Sequence, residues 1–270
     1  MSMPFNLHPY IYTLLACVGL FAMAYLPQFA LNTAWLAASG LLWLSFSVYR
    51  DISGCKLPIR FVWAIVSVLF AGLFATHSFD SPSIFVTEQQ VSANAEIVSV
   101  YYHLDKLILG LIILFTSHES IKTPITQNKV NPARLLVIYL AACAIILFLA
   151  VSTAILYFEP KLLPAGFFFI WAFKNLVLVC FGEELLFRGF IQKELSKWHP
   201  IFAWLLTSVL FGLAHLPAGL TFATIATLAG LLYGWVYLKT HNIWLAVVAH
   251  FVFNTLHLIF FTYPYLTSRI

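Results

Sequence analysis

The stretch FGEELLFRGFIQ, Phe181 to Gln192, sets two adjacent carboxylates, Glu183 and Glu184, and the guanidinium of Arg188 inside an otherwise apolar helical run. An ionised side chain in such a run is costly unless it is paired or faces a cavity, so three within two helical turns need partners and a purpose. Outward from this stretch, further polar residues recur at helical spacing in apolar surroundings: Phe211 and His215 in FGLAH, then His250 and Asn254 in HFVFN. They read as the reacting parts of one intramembrane site, with the rest of the chain as its scaffold.

Composition agrees with a membrane location for that site. Of 270 residues, 62% are hydrophobic and 9% charged, against roughly 25% charged in soluble domains. The expected fold is all-α, a polytopic helical membrane protein. Apolar runs extend over Tyr10 to Leu26, Leu31 to Tyr49, Phe61 to His77, Ile97 to Ser117, Leu135 to Phe158, Phe167 to about Lys197, Ile201 to Leu216, Leu220 to Lys239 and Ile243 to Phe261. That makes about nine spans at roughly 20 residues each. His103, Asp105 and Lys106 interrupt the fourth, which is expected to begin as an interfacial helix.

Basic residues collect in alternate connections: Arg50, Lys56 and Arg60; Lys122, Lys129 and Arg134; Lys193 and Lys197; and Lys239. Lys161 and Arg269 are minor exceptions. This alternation orients the chain with a cytoplasmic N-terminus and an outer C-terminus; the expected location, a separate expectation, is a bacterial inner (plasma) membrane. The net charge of +4 lies in these connections and not along one face, so nucleic acid is not an expected partner; membrane lipids and a membrane-associated protein or peptide are. The start MSMPFNLHPY lacks a charged n-region, so the first span is expected to stay. Cys17, Cys143 and Cys180 in apolar spans and Cys55 in a basic loop make no disulfide framework. The chain divides into an N-terminal four-span half (1–118), a cytoplasmic connection (119–134) and a five-span half (135–270) that carries every motif.

Depth follows from the sixth run. Ending that helix at Gly182 would put Lys174 at the bilayer centre, whereas continuing to about Lys197 lets Lys174 reach the outer interface and buries both glutamates. Counted from a turn at Trp198 to Pro200, Glu184 lies about fifteen residues before it and His215 about fifteen after, hence at equal depth on antiparallel helices. Glu184 and Arg188 are an i, i+4 pair in the favourable acid-first order, which leaves Glu183 for a second partner.

In their order and spacing, Glu183-Glu184-x-x-x-Arg188, Phe211-x-x-x-His215 and His250-x-x-x-Asn254 resemble the CPBP family, the type II CAAX prenyl endopeptidases and bacteriocin-processing or immunity (Abi) proteins. The resemblance covers roughly Phe167 to Phe261. It implies a glutamate-type intramembrane endopeptidase that needs no metal or other cofactor, with Glu183 and His215 activating water, Glu184 and Arg188 holding the site, and His250 and Asn254 stabilising the oxyanion.

Other readings stay open. Glu184 with Arg188 can be a purely structural pair, and His250 with Asn254 can be interhelical hydrogen-bond glue. Phe211 reads as packing and His257 as a satisfied core histidine. Cys180 or Ser208 could be a nucleophile, though neither has an evident activating group. A zinc-dependent membrane protease could use the same residues, although H-E-x-x-H is absent. A bacteriocin-immunity factor or scaffold would need the charged cluster only to fix helix packing.

Overall fold

The computed structural model describes residues 83–93, 95–103 and 130–266. The first three expected spans, the apolar 107–115 segment and the basic residues from Arg50 to Lys129 lie outside the described residues, as does Arg269. What is described is mostly helical, with five principal helices and one antiparallel hairpin. Four of those helices are long and apolar enough to cross a membrane, and the chain is an integral membrane protein.

The hairpin pairs β1 (Ser83–Gln89) with β2 (Val98–His103). It corrects two expectations: the fold is not all-α, and the fourth apolar run begins as a strand instead of an interfacial helix. In VSVYYH, Val98, Val100 and Tyr102 share one face of a strand and Ser99, Tyr101 and His103 the other, and its β-branched and aromatic residues suit a strand better than a helix.

Helix α1 (Pro132–Ser152) starts where Asn131 caps it, its Oδ1 accepting from the backbone N–H of Ala133 and Arg134, with Pro132 in the first turn where no donor is needed. Helix α2 (Ala165–Ser196) runs 32 residues as expected. It is not regular: π-helical stretches at Lys174–Cys180 and Leu185–Gln192 flank the α-helical turn Phe181–Glu184. Wide turns of this kind are frequent at functional sites.

Helix α3 (Pro200–Leu213) begins at the expected turn, where His199 Nδ1 accepts from the Phe202 N–H. Its 14 residues span only about 21 Å, short of the roughly 30 Å hydrocarbon core. The expected span to Leu216 is thus corrected, for Pro217 ends the helix and a 3₁₀ turn (Leu216–Ala218) follows. Gly219, at φ 93°, then turns the chain into α4 (Leu220–Thr240). After Asn242, whose Oδ1 accepts from the N–H of Trp244 and Leu245, α5 (Ile243–Phe260) completes the bundle.

Helix α4 packs against both α3 and α1, and α5 against α4 and the middle of α2. Tyr139 ties α1 to α5 by donating its hydroxyl to the Ala249 carbonyl. At one end of the bundle the segment after α1 pairs with the segment after α5, Glu159 N–H donating to Phe260 O and Thr262 N–H to Tyr157 O. The hairpin joins them there through Ser92, whose Oγ accepts from Lys161 Nζ (2.7 Å) and Tyr263 N–H (3.0 Å). Burial depresses the Lys161 pKa, with Glu159 opposing the shift. Val91 and Val100 of the hairpin pack with Phe167, Trp171 and Leu258, so the hairpin covers the bundle end where α2 begins and α5 finishes.

Candidate active site

A cavity of about 250 Å³ opens between the helices, lined by Glu183, His215, His250 and Asn254, with Lys174 and Asn175 along one wall. Four residues separated by up to 71 sequence positions thus share one space, and apolar side chains such as Leu147, Ala226 and Phe253 make up much of its surface.

Glu184 and Arg188 lie just behind it, both fully buried. The i, i+4 pairing forms as expected, Arg188 Nη1 donating to Glu184 Oε1 at 2.9 Å. The same oxygen also takes His250 Nδ1–H at 2.9 Å, so Glu184 holds a cation on its own helix and an imidazole on α5. Helical spacing gives no sign of this third partner. It fixes the His250 ring with Nδ1 toward the carboxylate and Nε2 on the opposite edge. Stacking on Tyr233, 4.5 Å between centroids at 15°, fixes the ring plane.

The other fork of Arg188 donates from Nη2 to the Gly230 carbonyl at 2.8 Å, and one turn on Gln192 Nε2 donates to the Gly234 carbonyl at 3.0 Å. These two bonds stitch α2 to α4, and each accepting carbonyl belongs to a glycine with little room for a side chain. A Cβ on Gly230 would sit 3.2 Å from a Phe211 ring carbon, and one on Gly234 would sit 2.8 Å from Trp204 Cδ1. The Gly230-x-x-x-Gly234 spacing is the one signal in the sequence for this close approach.

Phe211, read as packing, does more than fill space. Arg188 Cζ stands 4.7 Å from its ring centroid, a desolvated cation–π contact. The same ring lies 4.7 Å from the His215 ring and 5.7 Å from the His250 ring. One aromatic side chain therefore positions three polar site groups.

His215 stands in the turn just after α3 and not on its body. Its Nδ1 is 2.8 Å from the Phe211 carbonyl oxygen. A carbonyl can only accept, so Nδ1 carries a proton, and in the neutral ring Nε2 is the nitrogen that offers a lone pair.

Asn254 donates from Nδ2 to Asn175 Oδ1 at 3.2 Å, with a longer contact to Cys180 Sγ at 3.7 Å. Asn175 is a site residue that hydropathy conceals, because it follows Lys174 inside a long apolar run. Lys174 itself, expected at the outer interface, borders the cavity. His257 is satisfied as expected, donating Nε2–H to Thr262 O at 3.1 Å, and also touches the cavity. Ser208 donates its hydroxyl back to Trp204 O at 2.7 Å and does not line the cavity. Among the described residues no three His, Cys, Asp or Glu side chains converge as a metal-ligand set.

Comparison with known proteins places this segment. A Bacillus subtilis (strain 168) protein described as "Putative membrane peptidase YdiL" is 36% identical over 74 residues, 27% of this chain. The match takes in only 30% of the length of that relative. No solved structure matches. The family model of the Rce1-like type II CAAX prenyl endopeptidases matches residues 164–256, which include all six candidate site residues, and it is to this family of membrane peptidases that the segment is similar.

Proposed function

We propose that the protein is an intramembrane endopeptidase of glutamate type, hydrolysing a peptide bond in a membrane-associated protein or peptide. The observation that carries the reading is the convergence of Glu183, His215, His250 and Asn254 on one cavity inside a membrane-spanning bundle.

In the proposed reaction Glu183 and the Nε2 lone pair of His215 take a proton from water as its oxygen attacks the scissile carbonyl. The carbonyl oxygen becomes an oxyanion facing His250 and Asn254. Asn254 can offer the second hydrogen of Nδ2. His250 can offer Nε2–H only as an imidazolium, donating at once to Glu184 Oε1 and to the substrate oxygen. Collapse of the intermediate breaks the C–N bond, and the proton taken from water passes to the leaving amine. Glu184 and Arg188 act by holding His250 and α4, and they touch no reacting atom in this scheme.

The substrate class belongs to the same proposal: similarity to CAAX prenyl endopeptidases favours a chain anchored at the membrane, prenylated or otherwise. Membrane peptides compared between cells making wild-type protein and cells making Glu183→Gln test both parts. A peptide cut only by wild type identifies the substrate. Identical peptide sets would refute proteolysis and favour the immunity-factor or scaffold reading.

A further inference from the structure

Asn254 is the one proposed oxyanion donor whose side chain can turn end for end, and which end faces the substrate decides whether it can donate at all. Nδ2 donates; Oδ1 would repel an oxyanion. A carboxamide buried in a cavity wall is therefore useful only if something fixes its orientation.

Two side chains of α2 can do this. Asn175 Oδ1 lies 3.2 Å from Asn254 Nδ2 and also 3.2 Å from Cys180 Sγ, which donates to it. With the thiol donating, as it does here, Asn175 presents its oxygen, and an oxygen at that place obliges Asn254 to present nitrogen. With the Asn254 amide reversed, two carbonyl oxygens would face each other at hydrogen-bond distance. Asn175 and Cys180 are both buried, and Asn175 also borders the cavity.

The irregular backbone of α2 makes the arrangement possible. Asn175 and Cys180 are five residues apart, and at about 100° per residue a regular α-helix would set them about 140° around the axis from each other. The stretch Lys174–Cys180 is π-helical, and i→i+5 bonding brings residues five apart onto nearly one face. That stretch packs against α5, which carries Asn254.

We propose that Asn175 is a positioning residue, held by Cys180 through the π-helical turn, that fixes the carboxamide of Asn254 with its nitrogen toward the reacting oxygen. It touches no substrate and acts through Asn254 alone. The inference rests on the proteolytic reading above.

A double-mutant cycle tests it, using purified full-length protein in detergent and a membrane peptide cut by wild type but not by Glu183→Gln. Asn175→Leu, similar in shape without hydrogen bonds, is expected to lower kcat about 10-fold with KM unchanged, short of the roughly 100-fold or greater loss of the donor itself in Asn254→Ala. In the Asn254→Ala background the same substitution should have no further effect on kcat. An equal fold-loss in both backgrounds, or an unchanged kcat in Asn175→Leu, would overturn the inference while leaving proteolysis standing. Unchanged kcat in Asn254→Ala would instead remove the oxyanion assignment and the inference with it. A missing difference between wild type and Glu183→Gln overturns both readings at once. Should Asn175→Leu fail to fold, the other end of the chain of bonds gives the answer. Cys180→Ala should lower kcat and Cys180→Ser, which restores a donor, should recover it; equal kcat in both would overturn the inference.

Discussion

Replacing Arg188 by alanine should damage the fold before it damages the chemistry. Arg188 is fully buried and donates to Glu184 Oε1 at 2.9 Å and to the Gly230 carbonyl at 2.8 Å. Its guanidinium also stands 4.7 Å from the Phe211 ring centroid. Alanine removes all three contacts and leaves a buried carboxylate with only His250 for a partner. Breaking a buried ion pair from one side costs about 3–5 kcal/mol, most of it the stranded charge. The Gly230 carbonyl adds to this if no other donor reaches it. A loss of that size corresponds to a fall in thermal midpoint on the order of 10 °C in a chain of this length. Thermal unfolding of detergent-solubilised protein, with folded yield from size-exclusion chromatography, reads the effect. Arg188→Lys should recover only part of it, because a single ammonium cannot reproduce the two-pronged bond to α2 and α4. A wild-type midpoint in Arg188→Ala would mean that Glu184 does not depend on Arg188 and that the bonds from Arg188 do not hold α2 to α4.

Asn254→Ala is expected to lower turnover per folded molecule about 100- to 1000-fold with substrate binding nearly intact, checked by kcat and KM together. If the residue were only interhelical glue, its loss would cost about 0.6–2 kcal/mol of stability and leave turnover unchanged. Gly212→Ala should sharply reduce folded yield, because a Cβ there would stand 2.6 Å from the Ala223 carbonyl and closer still to the Thr227 hydroxyl; normal yield would show that α3 and α4 can separate. Chelators such as 1,10-phenanthroline should leave cleavage unchanged, and a loss reversed by added zinc would replace the water-activation scheme with metal chemistry.

Much of this arrangement is legible in the chain because burial of charge is costly. The length of α2 follows from the expense of leaving Lys174 at the bilayer centre if the helix ended at Gly182, and the Glu184–Arg188 pair follows from helical spacing. The turn at His199 and Pro200 is also plain, since both residues break the apolar pattern and one can cap the next helix. What the sequence leaves unmarked depends on contacts remote along the chain or on backbone irregularity. The bond from His250 to Glu184 joins residues 66 positions apart, and no local spacing encodes it. The π-helical stretches leave no mark in a run that is apolar on every side, so Asn175 and Cys180 look unrelated. The hairpin is hidden because its second strand runs into the fourth apolar segment and hydropathy reads straight through. Likewise hydropathy draws α3 too long, continuing through Leu216 although Pro217 has already closed the helix.

The most direct test of the central claim is turnover by purified Glu183→Gln, measured per folded molecule on a membrane peptide that the wild-type protein cleaves. Loss of a general base predicts a fall of about 100- to 10,000-fold, and the exchange of a carboxylate for an amide of equal size predicts an unchanged thermal midpoint. Wild-type turnover in Glu183→Gln would contradict the assignment of Glu183 as the group that activates water.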